Sequence, residues 1–130
     1  MRQPPSTDRS EGQTERDDLL RDFFLGFVKI HVLQHASRAP VYGLALIDEL
    51  GHHGYRLGPG SLYPLLHGLE QAGFLAREDQ IVGGRIRKYY VSTEAGERAL
   101  DEARLKVREL VDEVLDSDDD GGGREPGAPN

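Results

Sequence analysis

The chain has no cysteine, no tryptophan and a single methionine among its 130 residues. Without cysteine there is neither a disulfide framework nor a thiolate metal centre. No apolar run comes near the roughly 20 residues needed to cross a bilayer. The polar stretch Met1–Asp18 carries no apolar signal-peptide core. Membrane and disulfide-stapled secreted classes are therefore excluded, and a cytoplasmic setting is expected. Catalytic signatures are missing too: there is no G-x-x-x-x-G-K phosphate loop, no G-x-S-x-G nucleophile turn and no H-E-x-x-H metal helix. Neither an enzyme nor a cofactor is expected. Positive charge is scarce, with 16 basic against 23 acidic residues and a net −7. Taken alone, that argues against a nucleic-acid partner.

The charge is unevenly spread, however. Ser92–Asn130 holds five basic and twelve acidic residues, whereas Arg56–Val91 holds five basic and three acidic. Within that basic stretch, Arg85, Arg87 and Lys88 fall inside four residues. Such a cluster can hold phosphate on an otherwise acidic molecule. The long-range field then helps little, so the affinity is modest and salt-sensitive.

Residues 1–16 and 117–130 are poor in apolar side chains and rich in Pro, Gly, Ser or Asp, so both read as disordered tails. The remainder, 17–116, is room for one domain. Leu19–Ala36 reads as a helix that is apolar around more than one stripe, which a small domain can cover on one side only. A partner chain is inferred for the other side. Pro40 breaks that helix, and Val41–Leu50 resumes it until the glycines at 51 and 54. Ser61 is the expected N-cap of Leu62–Ala72, with Pro64 in its first turn. Leu62, Leu65, Leu66 and Leu69 form its inward stripe, and Ser61, Pro64, His67, Gly68 and Gln71 its outward face.

Phe74–Val82 and Arg85–Ser92 flank Gly83–Gly84, a two-residue hairpin signal. Thr93 caps a last helix, in which Leu100, Ala103, Val107, Leu110 and Val114 repeat at spacings of three and four, a short coiled-coil seam. The histidines form two sequence pairs, His31 with His35 and His52 with His53. No cysteine or carboxylate completes either as a ligand set by spacing, so no metal is expected. Helix, helix, helix, hairpin, helix describes a mainly α fold with a minor β part (α+β). It is a winged helix-turn-helix over 17–92, with three helices and a two-stranded β wing, followed by a C-terminal dimerisation helix over 93–116. The third helix has no lysine or arginine, so base-edge contact falls to it and phosphate contact to the wing.

The segments G-Y-R-L-G-P-G-S-L-Y-P-L-L-H-G-L-E-Q-A-G-F-L (Gly54–Leu75), G-G-R-I-R-K-Y-Y (Gly83–Tyr90) and S-T-E-A-G (Ser92–Gly96) resemble the PadR-like family of bacterial transcriptional regulators. Upstream, V-Y-G-L-A-L-I-D-E-L (Val41–Leu50) is similar to that family's second helix. The resemblance implies a homodimer on a palindromic double-stranded DNA operator, usually repressing transcription. The first and last helices would form the dimer, here through Leu20, Phe23, Phe24, Phe27, Ala103, Val107, Leu110 and Val114. Ser61, Leu62, Tyr63, Pro64 and His67 would face DNA or shape that face, and Arg85, Arg87 and Lys88 would meet phosphates. Relatives often carry Lys or Arg where this chain has His67. The acidic pair Glu78–Asp79 must then point away from phosphate. A small-molecule effector would bind near the seam, at Phe23, Phe27 and His31. The alternative is a winged-helix module that binds protein instead of DNA, which the acidic balance favours.

Overall fold

The computed structural model describes residues 5–116, with side chains described over 11–115. Residues 1–4 of the first expected tail and all of the second, 117–130, lie outside the described residues. The chain opens with α1 (Pro5–Arg38), a helix of 34 residues and so about 51 Å long at 1.5 Å per residue. Residues 5–16 are therefore helical where the composition predicts a tail. The physical reason is propagation. Once a nucleus exists, each further residue adds a hydrogen bond at little cost, so a polar segment can extend a packed helix. Gly12 is the weakest helix former in the interior of that polar segment, at about 1 kcal/mol relative to alanine.

Pro40 ends the helical run, and Val41–Tyr42 (β1) pairs antiparallel with the later strand instead of starting the next helix. Both are residues that favour extended backbone, and an open strand edge is beside them. The order continues with α2 (Gly43–His52), α3 (Pro59–Gln71), β2 (Leu75–Val82), β3 (Arg85–Ser92) and α4 (Glu94–Val111), which runs on into a π-helical turn at Asp112–Asp116. The sheet order is β1-β3-β2. Strands β2 and β3 pair in register from Leu75 opposite Ser92 to Val82 opposite Arg85. Gly83 and Gly84 both have positive φ (58° and 78°), as the tight turn of a right-twisted hairpin requires.

Helix α3 starts three residues earlier than expected. Gly58, not Ser61, is its N-cap, and Pro59 supplies a preset first turn. The carbonyl of Gly58 accepts from Ser61 N (3.1 Å) and Leu62 N (3.0 Å). Pro64 consequently sits inside the helix, not in its first turn, and leaves the exposed Gly60 without its i+4 donor.

One core joins every long element. It contains Val28, Val32, Leu33 and Ala36 of α1, Leu46 and Leu50 of α2, Leu62 and Leu66 of α3, Leu75, Tyr90 and Leu100. Burial of each large aliphatic side chain is worth roughly 1.5–3 kcal/mol. Thr93 ties the last helix to this body. Its hydroxyl donates to the Gly73 carbonyl (2.6 Å) and accepts from Gly96 N–H (3.0 Å). Replacing it, Thr93→Ala, should cost about 1–2 kcal/mol and lower the urea midpoint without changing the slope. A midpoint equal to that of the wild type would deny the cap its role.

Candidate nucleic-acid interface

The outward side of α3 and the inner side of the wing face one another across an open cleft of about 590 Å³. Tyr63 and His67 line one wall, and Val82, Arg85, Ile86 and Lys88 the other. Pro64, His67, Gly68 and Gln71 are exposed, and Ser61 and Tyr63 are half-buried. Leu62, named among the DNA-facing positions, is 0% exposed. Its side chain holds α3 down from beneath, so its role is to shape the face and not to touch a duplex. His67 leans toward Glu70 at 4.0 Å, on the same helix.

Tyr63 is held by the start of α2. Its ring lies over Gly43, where an added Cβ would stand 2.7 Å from ring carbons Cε1 and Cζ. Glycine at 43 thus lets the recognition helix and α2 approach closely, with the phenol placed at the mouth of the cleft. The sequence offers no signal for this contact beyond the glycine after Tyr42.

The pleat of β3 divides the basic cluster. Side chains alternate between faces, so Lys88 shares the side of buried Tyr90, while Arg85 and Arg87 share the side of Tyr89. Arg87 stacks on Tyr42, its guanidinium carbon 4.2 Å from the ring centroid. Tyr42 in turn lies against Tyr89 (5.6 Å between centroids). That stacking keeps the guanidinium extended and its N–H fork free to bond. Tyr42 is the residue that reading the sequence missed. The signal was Val-Tyr directly after Pro40, which suits a strand better than a helix.

The acidic pair on the wing also separates by face. Asp79, opposite Lys88 in the register, is engaged by Arg77 at 3.1 Å (Nε to Oδ1). This contact raises the Arg77 pKa, by hydrogen bond first and charge second. Glu78 lies opposite Tyr89 on the other face. The wing tip is apolar: Ile81 and Ile86 pair across the strands and are 78% and 71% exposed.

Away from this cleft, α1 and α4 leave a second opening of about 490 Å³, lined by Phe27, Ile30, His31, Val107, Leu110 and Val114 among others. Of the effector positions, Phe27 and His31 line it and Phe23 does not. The imidazole pKa of His31 is lowered, by burial and then by its neighbours His53 and His35. Leu20, Phe23, Phe27, Val107, Leu110 and Val114 are all exposed on these two helices. Phe24 differs, because it packs edge-on against Tyr55 (5.0 Å) within the same chain. Ala103 is half-buried. Among the described residues no helix is long and apolar enough to cross a membrane.

Two short helices, a β wing and a flanking pair of long helices define a winged-helix DNA-binding protein of the regulator type. The model of the transcriptional regulator PadR-like family matches residues 32–102. The chain is 47% identical over 96 residues to the transcriptional regulator Rv3488 of Mycobacterium tuberculosis (strain ATCC 25618 / H37Rv), covering 74% of this chain and 90% of that one. A PadR family transcriptional regulator from Eggerthella lenta DSM 2243 shares the fold with a TM-score of 0.66 and 33% identity, over 81% of this chain and 93% of its own. A PadR-like regulator from Bacillus cereus strain ATCC 14579 gives 0.61 and 29%, over 69% and 92%. This chain belongs to the PadR-like family: it is a DNA-binding transcriptional regulator and not an enzyme.

Gly43→Ala should push the Tyr63 ring out of its seat. The expected outcome is a loss of about 1–3 kcal/mol of stability, typical of overpacking, and weaker DNA binding in the fraction that remains folded. Unchanged binding by a folded variant would show that Tyr63 does not depend on Gly43.

Proposed function

We propose that the protein is a homodimeric repressor that seats two recognition helices and two wings on a palindromic operator, and that an effector near the dimer seam releases it. It would act in the cytoplasm. The observation that supports this reading is the apolar side shared by α1 and α4. Phe23 (51%) and Leu110 (55%) are as exposed as surface charges usually are. Contiguous apolar surface of this kind on a soluble domain marks an interaction site. A second copy covers it by matching like helices about a twofold axis. The opening between α1 and α4 is then partly enclosed by the pair, and an effector that fits only one spacing of the two domains shifts the population between spacings.

On each half-site, Ser61, Tyr63, Pro64 and His67 would approach base edges, with Gly68 allowing the helix to sink toward the groove wall. Arg85, Arg87 and Lys88 would meet phosphates. The Ile81–Ile86 pair would slide along the sugar edges of the neighbouring minor groove, where apolar wedges are used. A twofold dimer reading successive major-groove faces needs half-sites about one helical turn apart.

Three cations on each of two wings cover about six phosphates, so the log–log salt slope should be about −5, at about −0.9 per phosphate. Arg87→Ala should weaken binding equally on all duplexes and make the slope shallower. Tyr63→Phe or His67→Ala should change operator preference instead. A salt-independent interaction would point to a protein partner. Leu110→Asp should move the dimer toward monomer in sedimentation equilibrium and abolish operator binding. A wild-type chain that remains single at high concentration would overturn the paired arrangement.

A further inference from the structure

The two histidine pairs of the sequence are re-sorted by the fold. His31 and His35 lie one turn apart on α1, and the end of α2 lays His53 beside both. The candidate ligand atoms of the three lie within 4.8 Å of one another. The rings of His31 and His53 stack at 4.8 Å between centroids, and those of His35 and His53 stand at 6.4 Å. Glu49, one turn before His53, brings Oε2 to 3.6 Å from His53 Nε2. We propose that His31, His35 and His53 form a binding site for a divalent transition-metal ion of the nitrogen-preferring class (zinc, nickel or cobalt), with Glu49 as the carboxylate that orients His53 or completes the shell.

The backbone that creates this cluster is specific. At the end of α2, Gly54 N–H donates to the Gly51 carbonyl (3.0 Å) and Tyr55 N–H to the Leu50 carbonyl (2.9 Å). This is the reversal that closes a helix through a residue of positive φ, here Gly54 at 90°. It turns the chain back toward α1, so Tyr55 packs against Phe24 and His31 while His53 reaches His31 and His35. Ligand nitrogens around a zinc-type ion at about 2.0–2.1 Å stand roughly 3.3 Å apart in a tetrahedron. The ligand atoms, at up to 4.8 Å, would have to close by about 1.5 Å on binding an ion. His53 is the exposed member and His31 and His35 are half-buried, which leaves an entry path.

Such an ion would pin α1 to the end of α2, five residues before Gly58 begins the recognition helix. His31 also borders the opening between α1 and α4. Bound metal thus fixes the joint between the two long helices and the DNA-reading pair, and operator affinity responds to it. This second half rests on the DNA-binding reading; the site itself does not.

The test uses the untagged full chain. Calorimetric titration with zinc, nickel or cobalt chloride in a non-chelating buffer should saturate at one ion per chain, and magnesium should give no heat. His35→Ala and His53→Ala should each weaken binding at least tenfold. His52→Ala, on the neighbouring histidine outside the cluster, should leave it unchanged. Cobalt should give a visible d–d band that His53→Ala loses, and zinc should raise the melting temperature of the wild type but not of that variant. His53 is exposed, so this variant folds, with circular dichroism as the check. Absence of saturable binding, or binding by His35→Ala and His53→Ala as tight as that of the wild type, overturns the site. Operator affinity measured with and without zinc should differ severalfold in the wild type and not in His53→Ala. Saturation without that difference overturns the regulatory half. A chain that saturates with zinc yet ignores all DNA refutes the operator reading and leaves the metal site standing.

Discussion

Everything in this molecule depends on the stripe Val28, Val32, Leu33 and Ala36. Those four residues are the part of α1 that the chain itself buries, and α2, the sheet and α4 all pack against that helix. A stripe this narrow uses one side of a helix that is apolar on more than one. The unused side is then available for function. Because the same rigid rod carries the core on one face and Leu20, Phe23 and Phe27 on the other, a displacement at the outer face must be felt by the DNA-reading elements. A packed helix cannot deform locally without disturbing close-packed neighbours.

The elements were legible wherever a local signal coincided with a tertiary one. The glycine hairpin, the Thr93 cap and the leucines of α3 were of that kind. Tyr89 and Tyr90, adjacent on β3, take opposite faces, and Tyr90 is the one in the core. Where local and tertiary signals parted, the reading failed. Val41–Tyr42 looked like the first turn of a helix because Leu44 and Ile47 continue an apolar period. Only the presence of a distant strand edge makes them a strand. Ser61 has the chemistry of a cap, but Pro59 is a stronger reason to begin a helix, and Gly58 accepts its first bonds. The polar start of α1 has no burial to announce it, since helix extension needs no burial.

The candidate interface was legible in its parts and not in its assembly. The cluster of Arg85, Arg87 and Lys88 could be seen, but a run of adjacent charges on a strand cannot share one face. The fold resolves this by giving Arg87 an aromatic shelf on Tyr42, from a strand that the sequence hid. Leu62 was read both as part of the inward stripe and among the DNA-facing positions, and the burial agrees with the first. A motif matched position by position does not distinguish residues that touch a ligand from those that hold the contacting face in shape. The histidines show the same limit more strongly, because the cluster of His31, His35 and His53 joins α1 to the end of α2 and has no signature in spacing.

The distribution of charge bears on how such a regulator finds its site. With a net charge of −7, the molecule gains no long-range attraction to a polyanion; beyond about 8–10 Å salt screens the field, and attraction begins only once the wings are close. Non-specific residence on DNA is therefore short, since it draws almost wholly on phosphate neutralisation. The recognition helix adds no lysine or arginine to that term. On the proposed interface, discrimination between sequences would come from short-range fit of Tyr63, His67 and the small residues around them, which no phosphate contact can replace. A helix without cations gives up affinity everywhere, and the share of binding that depends on the right bases is correspondingly larger.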